Sequence, residues 1–394
     1  MNNDELLRSY RNCKIVFGGS AQAVLAELAW KRRWKTIVVF TGRTSADRSG
    51  AFTAVASAFP PIASVRRFRE IGSEPDINTV AEMTEFLRAN NPDAVIAIGG
   101  GSIMDAAKAA YAAMQGDCDV SEFFGSGKVS AYFDGMPNRI IAIPTTSGTG
   151  SEVTPYANIV DPQRGVKMLI ADEAIIPEYA FVVPNYADTM SEQITRATGC
   201  DALAHLIEGF LNVDADANDA LANQRALAGI RMIAEHFPAL LNRTGNLPEH
   251  RKAMAEAATL GGMVIRYKST GLPHLCSFSW FGIIEHGIAV SLLLPASWRY
   301  YIGREEVAER TMELSSIFPG TTPEEVIASF RRFLDDCGVP GSLQDIEGIT
   351  PELLGATAQS GAENPMKLAL APRPVALEES EEVLAKILQD AWEG

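Results

Sequence analysis

Asp201 and His205 stand four residues apart in the run TGCDALAHLIEGF (198–210), whose other residues are mostly apolar. On a helix, positions i and i+4 share a face, so a carboxylate and an imidazole at this spacing can reach one ion. The same pair also fits a plainer role, an aspartate capping a helix beside a hydrogen-bonded core histidine. Further donors bear on the choice. His274, after Pro273 in STGLPHLCSFSW, and His286, in IIEHGIAVSLLLP, are both bordered by apolar residues. Imidazoles are costly to bury without partners. One carboxylate with three imidazoles is a sound set for a divalent first-row metal that keeps an open position. His236 and His250 lie in polar surroundings and stay outside the set.

Two other stretches have the chemistry of anion and nucleotide binding. In AVIAIGGGSIMDAAKAA a buried-type strand runs into Gly99, Gly100 and Gly101, and Ser102 opens a helical pattern. Glycines let backbone approach a diphosphate, and a helix start offers free N–H groups and partial positive charge. The spacing is not the G-x-G-x-x-G of the usual dinucleotide turn. In IPTTSGTGSE (143–152), Thr145, Thr146, Ser147, Thr149 and Ser151 set small hydroxyls among glycines. These suit phosphate, ribose or carboxamide groups; a polar turn with Ser151 as helix N-cap is the plainer alternative. Both loops follow candidate parallel strands at their C-terminal ends, where open α/β sheets bind ligands.

The elements that position these residues follow from periodicity. KTIVVFTG (35–42), DAVIAIGG (93–100) and RIIAIPTT (139–146) read as strands, and SGAFTAVASAF (49–59) and SIMDAAKAAYAAM (102–114) as helices. That alternation implies a parallel α/β sheet. Beyond about residue 190 the patterns turn helical, as in DANDALANQRALAGIRMIAEHF (216–237) and HRKAMAEAATLGGMVI (250–265). The expected organisation is an α/β dinucleotide-binding domain over 1–188 and an all-helical metal-binding domain over 189–394.

Composition narrows the function classes. With 47% hydrophobic and 21% charged residues the 394-residue chain is in the ordinary globular range. A net charge of −15 without a long basic run argues against nucleic acid and anionic lipid as partners. The start MNNDELLRSYRNC lacks a basic n-region and apolar h-region, and no apolar run of membrane-spanning length occurs, so a cytoplasmic protein is expected. Five scattered cysteines without a CxxC pair argue against a disulfide framework and a zinc ribbon.

Taken together, GGGSIMDAAKA, PTTSGTGSEVTP, TGCDALAHLIEGF and EHGIAVSLLLP resemble, in order and spacing, the signatures of the iron-containing (group III) alcohol dehydrogenases. NPMKLALAPRPV is similar to that family's closing segment, and the likeness spans roughly residues 14 to 390. The resemblance implies a metal and active site in a cleft between the two domains, with Asp201, His205, His274 and His286 as ligands of Fe2+ or Zn2+. It also implies that Gly100, Gly101, Ser102, Asp105, Thr145, Thr146, Thr149 and Lys167 surround an NAD(P) cofactor. The expected activity is metal-dependent hydride transfer between the nicotinamide and a small alcohol or aldehyde, by a homodimer or higher homo-oligomer. A non-reductive enzyme resembling dehydroquinate synthase and a metal-free nucleotide sensor are the alternatives.

Two departures from the family pattern stand out. Family members carry the third and fourth ligand histidines fourteen residues apart with another histidine four after the third. Here the interval from His274 to His286 is twelve, and Phe278 takes the intervening position. In VVFTGRTS, Thr41, Gly42 and Arg43 stand where many NAD-preferring relatives place an aspartate, so Arg43 is expected to admit a 2′-phosphate. Finally, Arg266 and Lys268 in VIRYKSTGLPH lie eight and six residues before His274 and are the expected cations for an anionic substrate.

Overall fold

The computed structural model describes residues 1–19, 21–132 and 139–394. By backbone contact the chain divides into two compact units, Met1–Met190 and Ser191–Gly394.

The first unit carries nine strands among the described residues: β1 (Lys14–Phe17), β2 (Thr36–Gly42), β3 (Ser64–Ile71), β4 (Ala94–Gly99), β5 (Gly125–Ser126), β6 (Ile140–Pro144), β7 (Tyr156–Asp161), β8 (Val166–Ala171) and β9 (Tyr179–Val182). Six form a sheet in the order β1-β9-β6-β4-β2-β3, and every pairing in it is parallel. Interior strands β2, β4, β6 and β9 carry no alternation of buried and exposed residues, as a sheet covered on both faces requires. Val38, Phe40, Val95, Ala97, Ile140 and Ala142 pack on one side with the helix Gly101–Gly116. Ile37, Val39, Ile96, Ile98, Ile141 and Ile143 pack on the other with Leu25 and Ala29. Alternate residues of one strand thus feed two cores.

The order reverses between β2 and β4: β3 lies beyond β2, whereas β6, β9 and β1 lie beyond β4. Such a switch leaves a crevice at the strands' carboxyl ends. A second, three-stranded sheet joins β5 parallel to β8 and β8 antiparallel to β7. The sequence gives no sign of it because β8 (VKMLIA) is mostly half-buried, without a solvent face and a core face to alternate between.

The second unit has no strand. Its principal helices are Glu192–Leu211, Ala222–Leu241, Leu247–Tyr267, His286–Tyr301, Pro323–Asp336 and Ser380–Glu393. Glu192–Leu211 packs against the next three of these and is enclosed on all sides from Gly199 to Leu211. The helical pattern expected from residue 216 begins instead at Ala222, after a short 3-10 turn at Val213–Asn218. Asp219 causes the break: its side chain accepts from Leu221 N and pairs with Arg225. All five cysteines are free thiols, and among the described residues no helix is long and apolar enough to cross a membrane.

Candidate metal centre and cofactor loops

Glu192–Leu211 starts cleanly because the Ser191 side chain accepts from Ile194 N. Asp201, His205 and Glu208 follow at i, i+4 and i+7 and share one face. His274 comes from the short helix Leu272–Ser277, and His286 opens the helix His286–Tyr301. Around Asp201 Oδ1 the three histidines converge: His205 Nε2 at 3.7 Å, His274 Nε2 at 3.7 Å and His286 Nε2 at 3.6 Å. Asp201, His205 and His274 are buried, with ligand atoms all within 4.8 Å of one another. The His286 side chain is 32% exposed. The twelve-residue interval therefore still delivers both later histidines to Asp201, and Phe278 stacks on the His286 ring, centroids 6.3 Å apart.

Gly287 makes this approach possible. A Cβ there would lie 1.8 Å from the Ala197 carbonyl oxygen and 3.0 Å from Asp201 Cβ. The EHG sequence is thus a steric requirement for His286 to meet the carboxylate.

Hydrogen bonds fix the imidazole tautomers. His274 Nδ1 donates to Glu208 Oε1 at 2.6 Å, which turns Nε2 toward Asp201. Ser277 Oγ donates to the His274 carbonyl at 2.9 Å and so accepts from His286 Nδ1 at 3.2 Å, leaving that ring's Nε2 for Asp201. Burial alone would raise the Asp201 carboxyl, but the three imidazoles outweigh it and hold it well below the usual range. Burial lowers His205. It also acts to lower His274, yet Glu208 and Asp201 prevail and lift that imidazole to about 9.

These groups fit a divalent cation. Asp201 Oδ1 and His274 Nε2 are buried with no hydrogen-bond partner. Orphaned polar atoms of this kind are costly unless something else satisfies them. An oxygen and imidazole nitrogens facing one point are the donor set of a first-row metal. Glu208 was not among the expected site residues. Its i+7 spacing from Asp201 was the available signal, but in HLIEGF a glutamate reads as a solvated one.

In the first unit, the two glycine-containing loops leave adjacent strands in register, with Gly99 opposite Pro144 and Thr145 N donating to Gly99 O at 2.9 Å. A Cβ on Gly101 would lie 2.7 Å from Thr149 Cγ2, and one on Gly100 would lie 3.3 Å from Thr146 Cγ2. The loops are therefore packed backbone to side chain at the switch point. Gly100 is the N-cap of Gly101–Gly116, and Ser102 Oγ donates to the Ser73 carbonyl.

Asp105 and Ser151 are engaged inward. Ser151 Oγ donates to Asp105 Oδ1 at 2.6 Å and accepts from the enclosed Lys108 Nζ at 2.8 Å. Asn158 N donates to Asp105 Oδ2, and Lys108 also reaches the Thr154 and Tyr156 carbonyls. These groups tie the second loop to the helix of the first. Ser151 lies inside a 3-10 turn whose N-cap is Gly150, so it is not the cap itself.

The remaining expected residues are more dispersed. Thr41 is enclosed and its hydroxyl accepts from Arg67 Nε at 3.0 Å, while Arg43 is exposed and lies 3.3 Å from Glu70. Lys167 on β8 pairs with Glu74 at 2.9 Å. The Lys268 side chain is fully enclosed, and Nζ meets the Asp216 carboxylate and Asn223, each at 2.5 Å, so its charge is already balanced inside the unit. The Arg266 guanidinium lies over the Tyr267 ring at 4.4 Å. His236 and His250 sit apart from the cluster and bond to each other, Nδ1 to Nδ1 at 2.9 Å.

The chain thus has an α/β unit with a glycine-rich switch point and a helical unit with an enclosed carboxylate–imidazole cluster that fits a divalent cation. The family model for iron-containing alcohol dehydrogenase matches residues 12–184, and that for the C-terminal part of the same family matches 195–388. The chain belongs to the iron-containing alcohol dehydrogenase family. It is 31% identical over 306 residues to the 1-propanol dehydrogenase of Salmonella typhimurium, covering 77% of this chain and 75% of that protein. It is 30% identical to the NAD-dependent methanol dehydrogenase of Bacillus methanolicus, covering 75% and 78%. Among solved structures, an iron-containing alcohol dehydrogenase from Thermotoga maritima superimposes with a TM-score of 0.81 at 27% identity, covering 98% of this chain and 99% of that one.

Proposed function

We propose that the chain interconverts a small alcohol and its aldehyde, using NAD and one divalent metal ion held by Asp201, His205, His274 and His286. The observation that carries this reading is the convergence of three imidazoles on an enclosed carboxylate whose Oδ1 has no hydrogen-bond partner. Bound there, an iron or zinc ion would polarise the substrate oxygen, and the nicotinamide would give or take the hydride. The protein's own contribution is positional. Glu208 and Ser277 set which imidazole nitrogens face inward, and burial of Asp201, His205 and His274 keeps water from those donors.

The loops at Gly99–Gly100–Gly101–Ser102 and Thr145–Thr146–Thr149 cradle the cofactor diphosphate at a helix start. Asp105, Lys108 and Ser151 hold the two loops together from behind. Thr41 and Arg43 close the far end of the cofactor site. With Thr41 and Gly42 rather than an aspartate at the end of β2, NADP is accepted alongside NAD. The alcohols named for the two curated relatives support a small substrate. A cytoplasmic homo-oligomer completes the reading, and its size is checked by sizing chromatography.

The test is NADH oxidation against an aldehyde panel, with elemental analysis of the same preparation. One ion per chain and metal-dependent turnover are expected. Turnover undiminished after complete chelation would overturn the proposal.

A further inference from the structure

The charge of Lys268 is balanced by Asp216, whereas a second enclosed lysine of this unit has only neutral partners. Lys367 lies in ENPMKLALAPRPV, on the short helix Pro365–Ala369, and its residue surface is only 7% exposed. Nζ donates to Thr270 Oγ1 at 2.8 Å and, at 3.2 Å each, to the Thr270 carbonyl and Ser269 Oγ. All three acceptors are neutral. Lys268 and Arg225, which are more enclosed still, close on Asp216 and Asp219. Among the described residues Lys367 has no carboxylate partner.

Its position ties it to the candidate metal centre. Thr270 precedes Gly271, whose N–H donates to Glu208 Oε2 at 2.5 Å, and the other oxygen of Glu208 receives His274 Nδ1. Each oxygen of Glu208 is therefore engaged once, and its charge is felt at Lys367. The charge of Lys367 is in turn felt at His205. An ammonium and two hydroxyls thus stand at the root of the loop that presents His274. Enclosing an ammonium without a counter-ion is costly. The two hydroxyls can rotate to donate once an anion arrives.

We propose that Lys367, with Ser269 and Thr270, binds the anionic end of the substrate, so that the chain acts on short aldehydes or alcohols bearing a carboxylate, phosphonate or sulfonate. This rests on the dehydrogenase reading above and specifies its substrate class. The reaction balances as aldehyde plus NADH plus a proton giving alcohol plus NAD. The anion takes no part in the bonds that change and acts by orienting the carbonyl.

The test uses metal-loaded enzyme with NADH and two matched pairs: succinic semialdehyde against butanal, and phosphonoacetaldehyde against acetaldehyde. In the wild type, kcat/KM should favour the anionic member of at least one pair by about tenfold or more, the size of a charge-assisted hydrogen bond. The pair that responds separates carboxylate from phosphonate recognition. Lys367→Met should collapse that ratio toward one, and Lys367→Arg should retain part of it. A purely structural lysine would depress both members of a pair alike and leave the ratio unchanged. If Lys367→Met does not fold, inhibition of the wild type by inorganic phosphate serves instead, competitive against the anionic aldehyde rather than against NADH. A wild-type ratio of one or less in both pairs, an unchanged ratio in Lys367→Met, or phosphate competing only with NADH overturns the proposal. No NADH-dependent reduction of any of the four aldehydes would instead sink the dehydrogenase reading itself.

Discussion

Glu208 Oε1 lies 2.6 Å from His274 Nδ1, and both side chains are enclosed. A carboxylate behind a ligating imidazole fixes its tautomer and orientation and raises its basicity. Glu208→Gln keeps the shape but sets an amide N–H against either His274 Nδ1 or Gly271 N. Metal affinity should fall by roughly 10- to 100-fold, read by competition with a chromogenic chelator. Unchanged affinity would leave Glu208 a packing residue only.

His286→Ala should remove an inner donor and with it tight metal binding and turnover. His236→Ala should leave the metal content intact, because that ring bonds His250 rather than the cluster. Elemental analysis of the two proteins side by side decides it; full occupancy in His286→Ala refutes the ligand assignment.

Gly287→Ala places a methyl 1.8 Å from the Ala197 carbonyl oxygen, so the two helices must part. Overpacking of this kind costs about 1–3 kcal/mol, measurable by denaturant unfolding. The displacement also draws His286 away from Asp201, so metal should be lost even in the folded protein.

Arg43→Ala should weaken NADPH more than NADH, by about 1.5–3 kcal/mol if the guanidinium meets the 2′-phosphate. Dissociation constants of both cofactors provide the comparison. Equal losses would assign Arg43 to its pair with Glu70 instead.

Burial lowers the Lys367 ammonium to about 8, with Glu208 pulling it upward. Below that pH the lysine is charged and the preference for anionic aldehydes should hold; above it the preference should fade, with the neutral partner as internal reference. The stability linkage has the opposite sense. From about 8 up to the ordinary lysine value, the unfolded chain binds the proton and the folded chain does not, so this group's contribution to stability rises with pH.

Much of the site was legible in the sequence because its chemistry is local. Asp201 with His205 and the two glycine-containing loops are each contained within one short segment, and spacing alone places their residues on a helix face or after a strand. The cations were not legible. Lys268 and Lys367 both lie near turn sequences, and only tertiary contact shows that one meets Asp216 and the other meets hydroxyls. Edge strands were lost for a related reason. In β3, SVRRFREI, charged side chains at a half-exposed edge hide the apolar alternation, and β1 is only four residues long. Asp105 and Ser151 were each expected beside the cofactor, and their bond to each other spans two separate elements that no local pattern connects.

The unequal enclosure of the donors bears on time as well as geometry. Asp201, His205 and His274 are sealed by packing, whereas His286 is partly open and rests on Phe278. Ion entry and escape should therefore begin at His286, with the other three donors relinquished last. The centre would then exchange its ion at a rate set by a single aromatic contact, and substituting Phe278 should quicken exchange without altering which donors hold the ion at equilibrium.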